Sequence, residues 1–249
     1  MNVKPIPENI SVTVDREEIL LPASLQESIN AHWDALTKER PSLVRGDIYS
    51  IKQMSLSEEE LKVTLQKTDY AHFLFSQQLS EDHIYRCRGV VANGVFLTRD
   101  GYFVIGEMNA HTSTPGRLQF VAGGVEESDF QEDVVHVLAS LLRESQEEVG
   151  IDLTDSALIS RITPKYMVLW QAIALIYLIE LTMDSYQLKL HYHHFENELL
   201  RQKIIPEFAS LVFVHTNQVS AFLREDPRWK LDFLPKVLED LNEELSEKG

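Results

Sequence analysis

The chain of 249 residues contains a single cysteine, Cys87. An internal disulfide is excluded, and so is a zinc site built on paired cysteines. Basic residues are scarce beside acidic ones: 23 Lys and Arg stand against 39 Asp and Glu, a formal charge of −16. That balance repels a nucleic-acid backbone and argues against a polymer ligand. Small phosphorylated ligands stay open, because clustered carboxylates hold divalent cations that in turn hold phosphates. Apolar runs long enough to cross a bilayer, roughly 20 residues, are missing. The most apolar stretch, MVLWQAIALIYLIEL from Met167, is shorter and rich in branched and aromatic types, which predicts a buried strand or two in succession. The first residues, MNVKPIPENISVTVDREE, lack the apolar core of a signal peptide. A cytoplasmic protein with no membrane partner is the expectation, and the composition leaves room for a homodimer.

What is present is enough apolar content, 44%, to build a sizeable core. Near the start, ISVTV reads as extended and LQESINAHWDALTKER as a helix stopped by Pro41. GDIYSIKQMSL and ELKVTLQKTDY alternate in polarity and predict two strands. From Arg86 the pattern is strand, Asp-Gly turn and strand, RGVVANGVFLT and YFVIGEM, the signature of a hairpin. A loop with HTSTPGR, the run LQFVAGG, a charged helix, the apolar stretch, a polar segment, the strand SLVFVHT and terminal helices follow. Strands and helices mix without regular alternation, so an α/β fold with a mixed sheet packed by helices is expected. An N-terminal α+β extension over residues 1–85 and a second domain over 86–249 are the expected parts, packed together without a flexible linker.

The segment GGVEESDFQEDVVHVLASLLRESQEEVGI, residues 123–151, carries the chemistry. On a helix Glu144 and Glu148 align and Glu147 lies beside them, so three carboxylates share one edge. Like charges at these spacings destabilise a bare helix by a few tenths of a kcal/mol per pair, roughly, unless something compensates. A hard, oxygen-seeking cation such as Mg²⁺, with Mn²⁺ as the alternative, would do so. Arg143 can brace a glutamate through paired hydrogen bonds. Gly123 and Gly124 let the backbone approach a ligand or metal closely, and Gly150 suits a helix C-terminal cap.

Residues 124–151 resemble the Nudix box, in which a glycine and a spaced glutamate precede Arg-Glu, an apolar and any residue, Glu-Glu, any residue, glycine and an apolar residue. RESQEEVGI fits that charged half, with Ser145 where an apolar residue is usual. The first half is longer: Gly124 and Arg143 lie 19 positions apart, and Val135 stands where the box glutamate belongs. An insertion of about five residues accounts for this, with Glu126, Glu127 and Glu132 as substitutes for that glutamate. The resemblance implies that Glu144 and Glu148 are the main metal ligands, that Glu147 assists, that Arg143 orients them and that Gly124 offers its backbone carbonyl. It also implies an alpha/beta/alpha sandwich and hydrolysis of a nucleoside diphosphate linked to another moiety. The order of a helix with Trp33, Pro41, GDIYSI and KTDYAHF, and the element Val134, Val135 and His136, is similar to the branch of the family that contains UDP-sugar diphosphatases.

Such a reaction needs an activated water and neutralised phosphates. Glu207, just before a predicted strand, is the expected further carboxylate or base, with the loop acids Glu196 and Glu198 as alternatives. Arg117, Arg88 and Gly123 are the expected substrate contacts, with Lys165 a further basic residue. Each of the three basic side chains taken alone is more often a solvated surface charge. His191, His193 and His194 suggest zinc only weakly, since no cysteine pair completes a site. Trp170, Tyr177, Phe73 and Tyr70 are assigned to the core, although Phe73 or Tyr70 could stack on a base. A sensor or scaffold of the same fold, binding a nucleotide without cleaving it, is the rival expectation, and the intact Glu144, Glu147 and Glu148 favour catalysis. An isomerase would want a site cysteine, and Cys87 lies outside the box.

Overall fold

The computed structural model describes residues 2–17, 19–41, 43–170 and 172–247. Strands β1 (Asn2–Pro5) and β2 (Asn9–Asp15) lead to helix α1 (Ala23–Glu39), then β3 (Asp47–Leu56), β4 (Glu60–Asp69) and α2 (Tyr70–Ser76). Next come β5 (Val90–Leu97), β6 (Tyr102–Met108), β7 (Leu118–Gln119), β8 (Val121–Gly124), β9 (Phe130–Gln131), β10 (Val134–Val135) and α3 (Val137–Val149). The chain ends with β11 (Ile159–Leu169), β12 (Ile173–Leu181), α4 (Ser185–Arg201), β13 (Phe208–His215), α5 (Val219–Glu225) and α6 (Leu234–Ser246).

The larger sheet runs β1-β11-β12-β5-β6-β13, with β8 beside β5 and β7 beside β6. Its one parallel ladder joins β12 to β5, and the rest are antiparallel, so the sheet is mixed as expected. The apolar run from Met167 forms the end of β11 and all of β12, two successive strands in which Met167, Val168 and every residue of β12 but Glu180 are buried. Two cores flank this sheet. On one face Val137 and Leu141 of α3 and Leu188 and Tyr192 of α4 join Ala92, Phe96 and Ile179. On the other, Val219 of α5 and Leu234, Val237, Leu238 and Leu241 of α6 cover Val95, Ile176 and Leu178. The result is a mixed α/β fold, a sheet between helical layers.

A second sheet, β3-β4-β2-β10-β9, is built largely from the first part of the chain. Its Val12, Val14, Tyr49, Leu61, Val63 and Leu65 share a core with α3 and β5. Two ladders cross residue 85: β1 pairs with β11, from Asn2 opposite Leu169 to Pro5 opposite Tyr166, and Val134 of β10 lies opposite Thr13 of β2.

The extra length ahead of α3 has a structural form. After a short helical turn at Glu127–Asp129, β9 and β10 make a small hairpin whose second strand extends the smaller sheet. Val135 is buried there, so the position where the box glutamate was expected is a core residue.

One expectation is corrected. The polar segment after β12 is the helix α4, opened by a capping box in which Asp184 accepts from the Gln187 N–H and the Gln187 side chain accepts from the Asp184 N–H. Glu196, Glu198 and the three histidines therefore lie on a helix and not on a strand and loop. No helix among the described residues is long and apolar enough to cross a membrane.

Candidate active site

Helix α3 is amphipathic with a charged seam. Val137, Leu141 and Val149 face the sheet, and the next turn turns Glu144, Glu147 and Glu148 toward the end of β8. Gly150, in the left-handed region at φ 71°, closes the helix as anticipated. Glu148 is buried, and its Oε2 accepts from the Ala122 N–H at 3.2 Å. Glu144 is largely covered, whereas Glu147 is open to solvent.

Gly123 lies against Glu144. A methyl group there would overlap Glu144 Cγ, while one at Gly124 would meet nothing. Gly123→Ala is expected to push Glu144 aside and lower turnover about 10²-fold, the cost of a displacement near 1 Å. Gly124→Ala, which keeps the carbonyl, is expected to change turnover little. Equal losses in steady-state assays of the two variants would contradict this packing argument.

Arg143 ties the site together. Its Nη1 lies 2.7 Å from Glu144 and 3.5 Å from Glu147, its Nη2 donates to the Gly124 carbonyl at 3.2 Å, and its Nε is 2.6 Å from Glu126. Among the three glutamates proposed as substitutes for the box residue, Glu126 is the one in this network. Glu127 pairs with Arg16, and the Glu132 carbonyl accepts from Arg16. Asp129, which sequence reasoning missed, is buried, accepts from the Glu126 N–H and lies 3.6 Å from Arg143. The spacing of Glu126 and Asp129 is that of a capping box, so a signal for it existed.

Glu207 joins the cluster at the start of β13. The Asn109 N–H donates to its carbonyl at 2.8 Å, and the Tyr192 hydroxyl donates to the next carbonyl, of Phe208, at 3.0 Å. Tyr192 was not singled out from sequence, and its role here is to pin the turn that carries Glu207. Burial raises three of these four acids, and charge repulsion among the acids adds to the rise. Burial pushes Glu144 up to about 7, Arg143 opposes the shift, and Glu147 and Glu207 add to it. Glu148 is raised well above the ordinary carboxylate range by burial, then by Glu207 and Glu144. Glu207 is itself raised by the atoms crowding it, although its surface remains open; His111 opposes the shift.

The other expected residues have contacts of their own. Arg117 contacts Gln119 and stacks over Trp229, with 5.4 Å from guanidinium carbon to ring centre. Arg88 reaches the Glu81 carbonyl, and Lys165 pairs with Glu244. Glu198 bonds Arg201 and Gln202 on the surface of α4, and Glu196 lies near His193. His191 bonds the Gly150 carbonyl, and the Cys87 thiol, pushed up by burial, sits 3.5 Å from His72 Nδ1.

Among the described residues, no group of three or more His, Cys, Asp or Glu side chains is gathered so as to hold a metal ion. An open set of carboxylates, one of them buried, is what Mg²⁺ suits, because it keeps several waters and shares its coordination with substrate phosphates. Glu144, Glu148 and the Gly124 carbonyl are the groups that would hold it.

No family model matches the sequence, and no curated protein matches it. Solved structures with similar folds include a NUDIX hydrolase from Alicyclobacillus acidocaldarius, 12% identical over 61% of this chain and 90% of that one, with a TM-score of 0.43. A NUDIX-family hydrolase from Clostridium perfringens is 10% identical over 64% of this chain and 98% of that one, at 0.38. The MutT protein from Methanosarcina mazei Go1 is 11% identical over 65% and 94%, at 0.37. Superpositions this loose carry no functional argument, which falls to the side chains themselves.

Proposed function

We propose that this chain is a Nudix-type hydrolase that uses Mg²⁺ to split the diphosphate bond of a nucleoside diphosphate linked to another moiety, with nucleotide sugars as the leading substrate class. The observation that carries the reading is the packing of Gly123 against Glu144, with Arg143 bonded to Glu144 and to the Gly124 carbonyl, beside a buried Glu148 that accepts from the Ala122 N–H. Like charges gathered at this cost in a cleft are a mark of function. A bound divalent cation would neutralise the phosphates and make its water more acidic. Arg143 holds the Glu144 carboxylate and the Gly124 carbonyl in fixed relation, and Gly123 leaves room for that carboxylate. The Glu207 carboxylate, with its raised proton affinity, is the group we assign to take the proton of the attacking water. The substrate preference rests on the sequence resemblance alone. The buried, unpaired Cys87 supports a reducing, cytoplasmic setting.

Glu207→Ala is expected to lower turnover by roughly 10²- to 10⁴-fold, the contribution of a positioned base, with a modest change in KM. Glu198→Ala is expected to be silent. A near-normal Glu207→Ala enzyme in a steady-state phosphate-release assay would remove Glu207 from the mechanism.

A further inference from the structure

A cavity of about 310 Å³ opens beside the carboxylate cluster, at the size where small-molecule sites begin. It is lined by Tyr49 of β3, Phe73 of α2, Val91 of β5, Trp170 after β11, and Gly124 with Val125. Gly124 belongs to both places, since its carbonyl is held by Arg143. Three aromatic rings from three separate segments thus meet within one residue of the site.

Each ring is braced by another that does not line the cavity. Trp170 meets Phe233 edge-on at 6.0 Å, Tyr49 meets Phe130 edge-on at 4.7 Å, and Phe73 lies parallel to Tyr70 at 6.0 Å. Rings held this way lose little further freedom when a flat ligand enters, which favours binding. Polar readout is poor. Gln77, the one side-chain amide among the described lining residues, has its Nε2 within hydrogen-bond distance of the Phe73 carbonyl and the Ser76 hydroxyl.

We infer that this cavity is the subsite for the heteroaromatic base of the substrate, gripping the face of the base and reading little of its edge. The inference rests on the proposed function, in that it gives the diphosphate a base on one side. It takes up the stacking alternative for Phe73 and extends it to Trp170. Stacking tolerates any base because every base offers a flat face, so purines and pyrimidines are both accepted. Discrimination among substrates then falls on the other moiety.

The test uses neutral nucleosides without divalent cations, so that neither turnover nor phosphate binding contributes. Uridine, adenosine and ribose are titrated against the full-length protein by ligand-observed NMR. Both nucleosides are expected to bind and ribose is not. Trp170→Leu and Phe73→Leu keep apolar bulk but remove a flat face, and each is expected to weaken nucleoside binding ~10- to 100-fold, the usual loss for one stacked base. Glu148→Gln is expected to bind nucleosides as the wild type does. Should both Leu variants be folded by circular dichroism and keep wild-type nucleoside binding, or should ribose compete equally, the subsite is overturned. A protein that binds nucleosides as described yet cleaves nothing supports the subsite and overturns the hydrolase instead.

Discussion

Glu148→Gln is expected to abolish hydrolysis and, in the same molecule, to make the metal-free protein more stable. The side chain is 2% exposed, and burial with neighbouring Glu207 and Glu144 opposes its ionised form. A glutamine keeps the shape and an oxygen that can still accept from the Ala122 N–H, while losing the charge that repels its neighbours and attracts a cation. Removing one electrostatic stabiliser from an active site costs on the order of 10²–10³ in turnover, and loss of a main metal ligand should meet or exceed that. Relief of an unpaired buried charge is worth about 1 kcal/mol or more, which for a chain of this size raises Tm by about 2–4 °C per kcal/mol. Mg²⁺ or Mn²⁺ should raise the Tm of the wild type and leave the variant nearly unmoved. Thermal unfolding with and without the cations measures both effects. A variant that is inactive and strongly destabilised would make Glu148 a structural residue.

A chain beginning at Arg86 is expected not to fold. It lacks the β1 ladder to β11, the β2 partner of β10, and six side chains of the shared core: Val12, Val14, Tyr49, Leu61, Val63 and Leu65. Burying a large apolar side chain contributes roughly 1.5–3 kcal/mol, so six of them match the whole stability of an ordinary domain, about 5–15 kcal/mol. The truncation also uncovers their partners on α3 and β5 and frees strand edges, which invites aggregation. Circular dichroism and a urea titration read the outcome. Cooperative unfolding of the truncated chain, with KM unchanged, would show residues 86–249 to be an independent domain and the first part a bystander.

Local chemistry made the charged helix legible. RESQEE gives helical spacing to Glu144, Glu147 and Glu148, Gly150 ends the helix, and Asp-Gly closes the hairpin of β5 and β6, each within a few residues. The apolar run from Met167 was readable as two strands because its length and branched residues suit a buried sheet. Helix α4 was misread although Asp184 and Gln187 carry a capping box, because its mean polarity masked the narrow stripe of Leu188 and Tyr192. The hairpin of β9 and β10 was seen only as an insertion, since its partner strand lies more than a hundred residues earlier. Long-range pairing has no local signature. Trp170 was assigned to the core for the same reason: nothing in the sequence around Tyr49, Phe73 or Trp170 says that the fold places them beside Gly124.

The most direct test of the central claim is product analysis on the wild-type protein with a panel of UDP-sugars, ADP-ribose, dinucleoside polyphosphates, CoA and nucleoside triphosphates, with Mg²⁺ and with a chelator. The account predicts cleavage of the P–O–P bond in at least one nucleoside diphosphate derivative, yielding two phosphate-bearing products and stopping when the cation is removed. Tight binding of such compounds with no cleavage under either condition would contradict it and make the protein a nucleotide-binding sensor or scaffold.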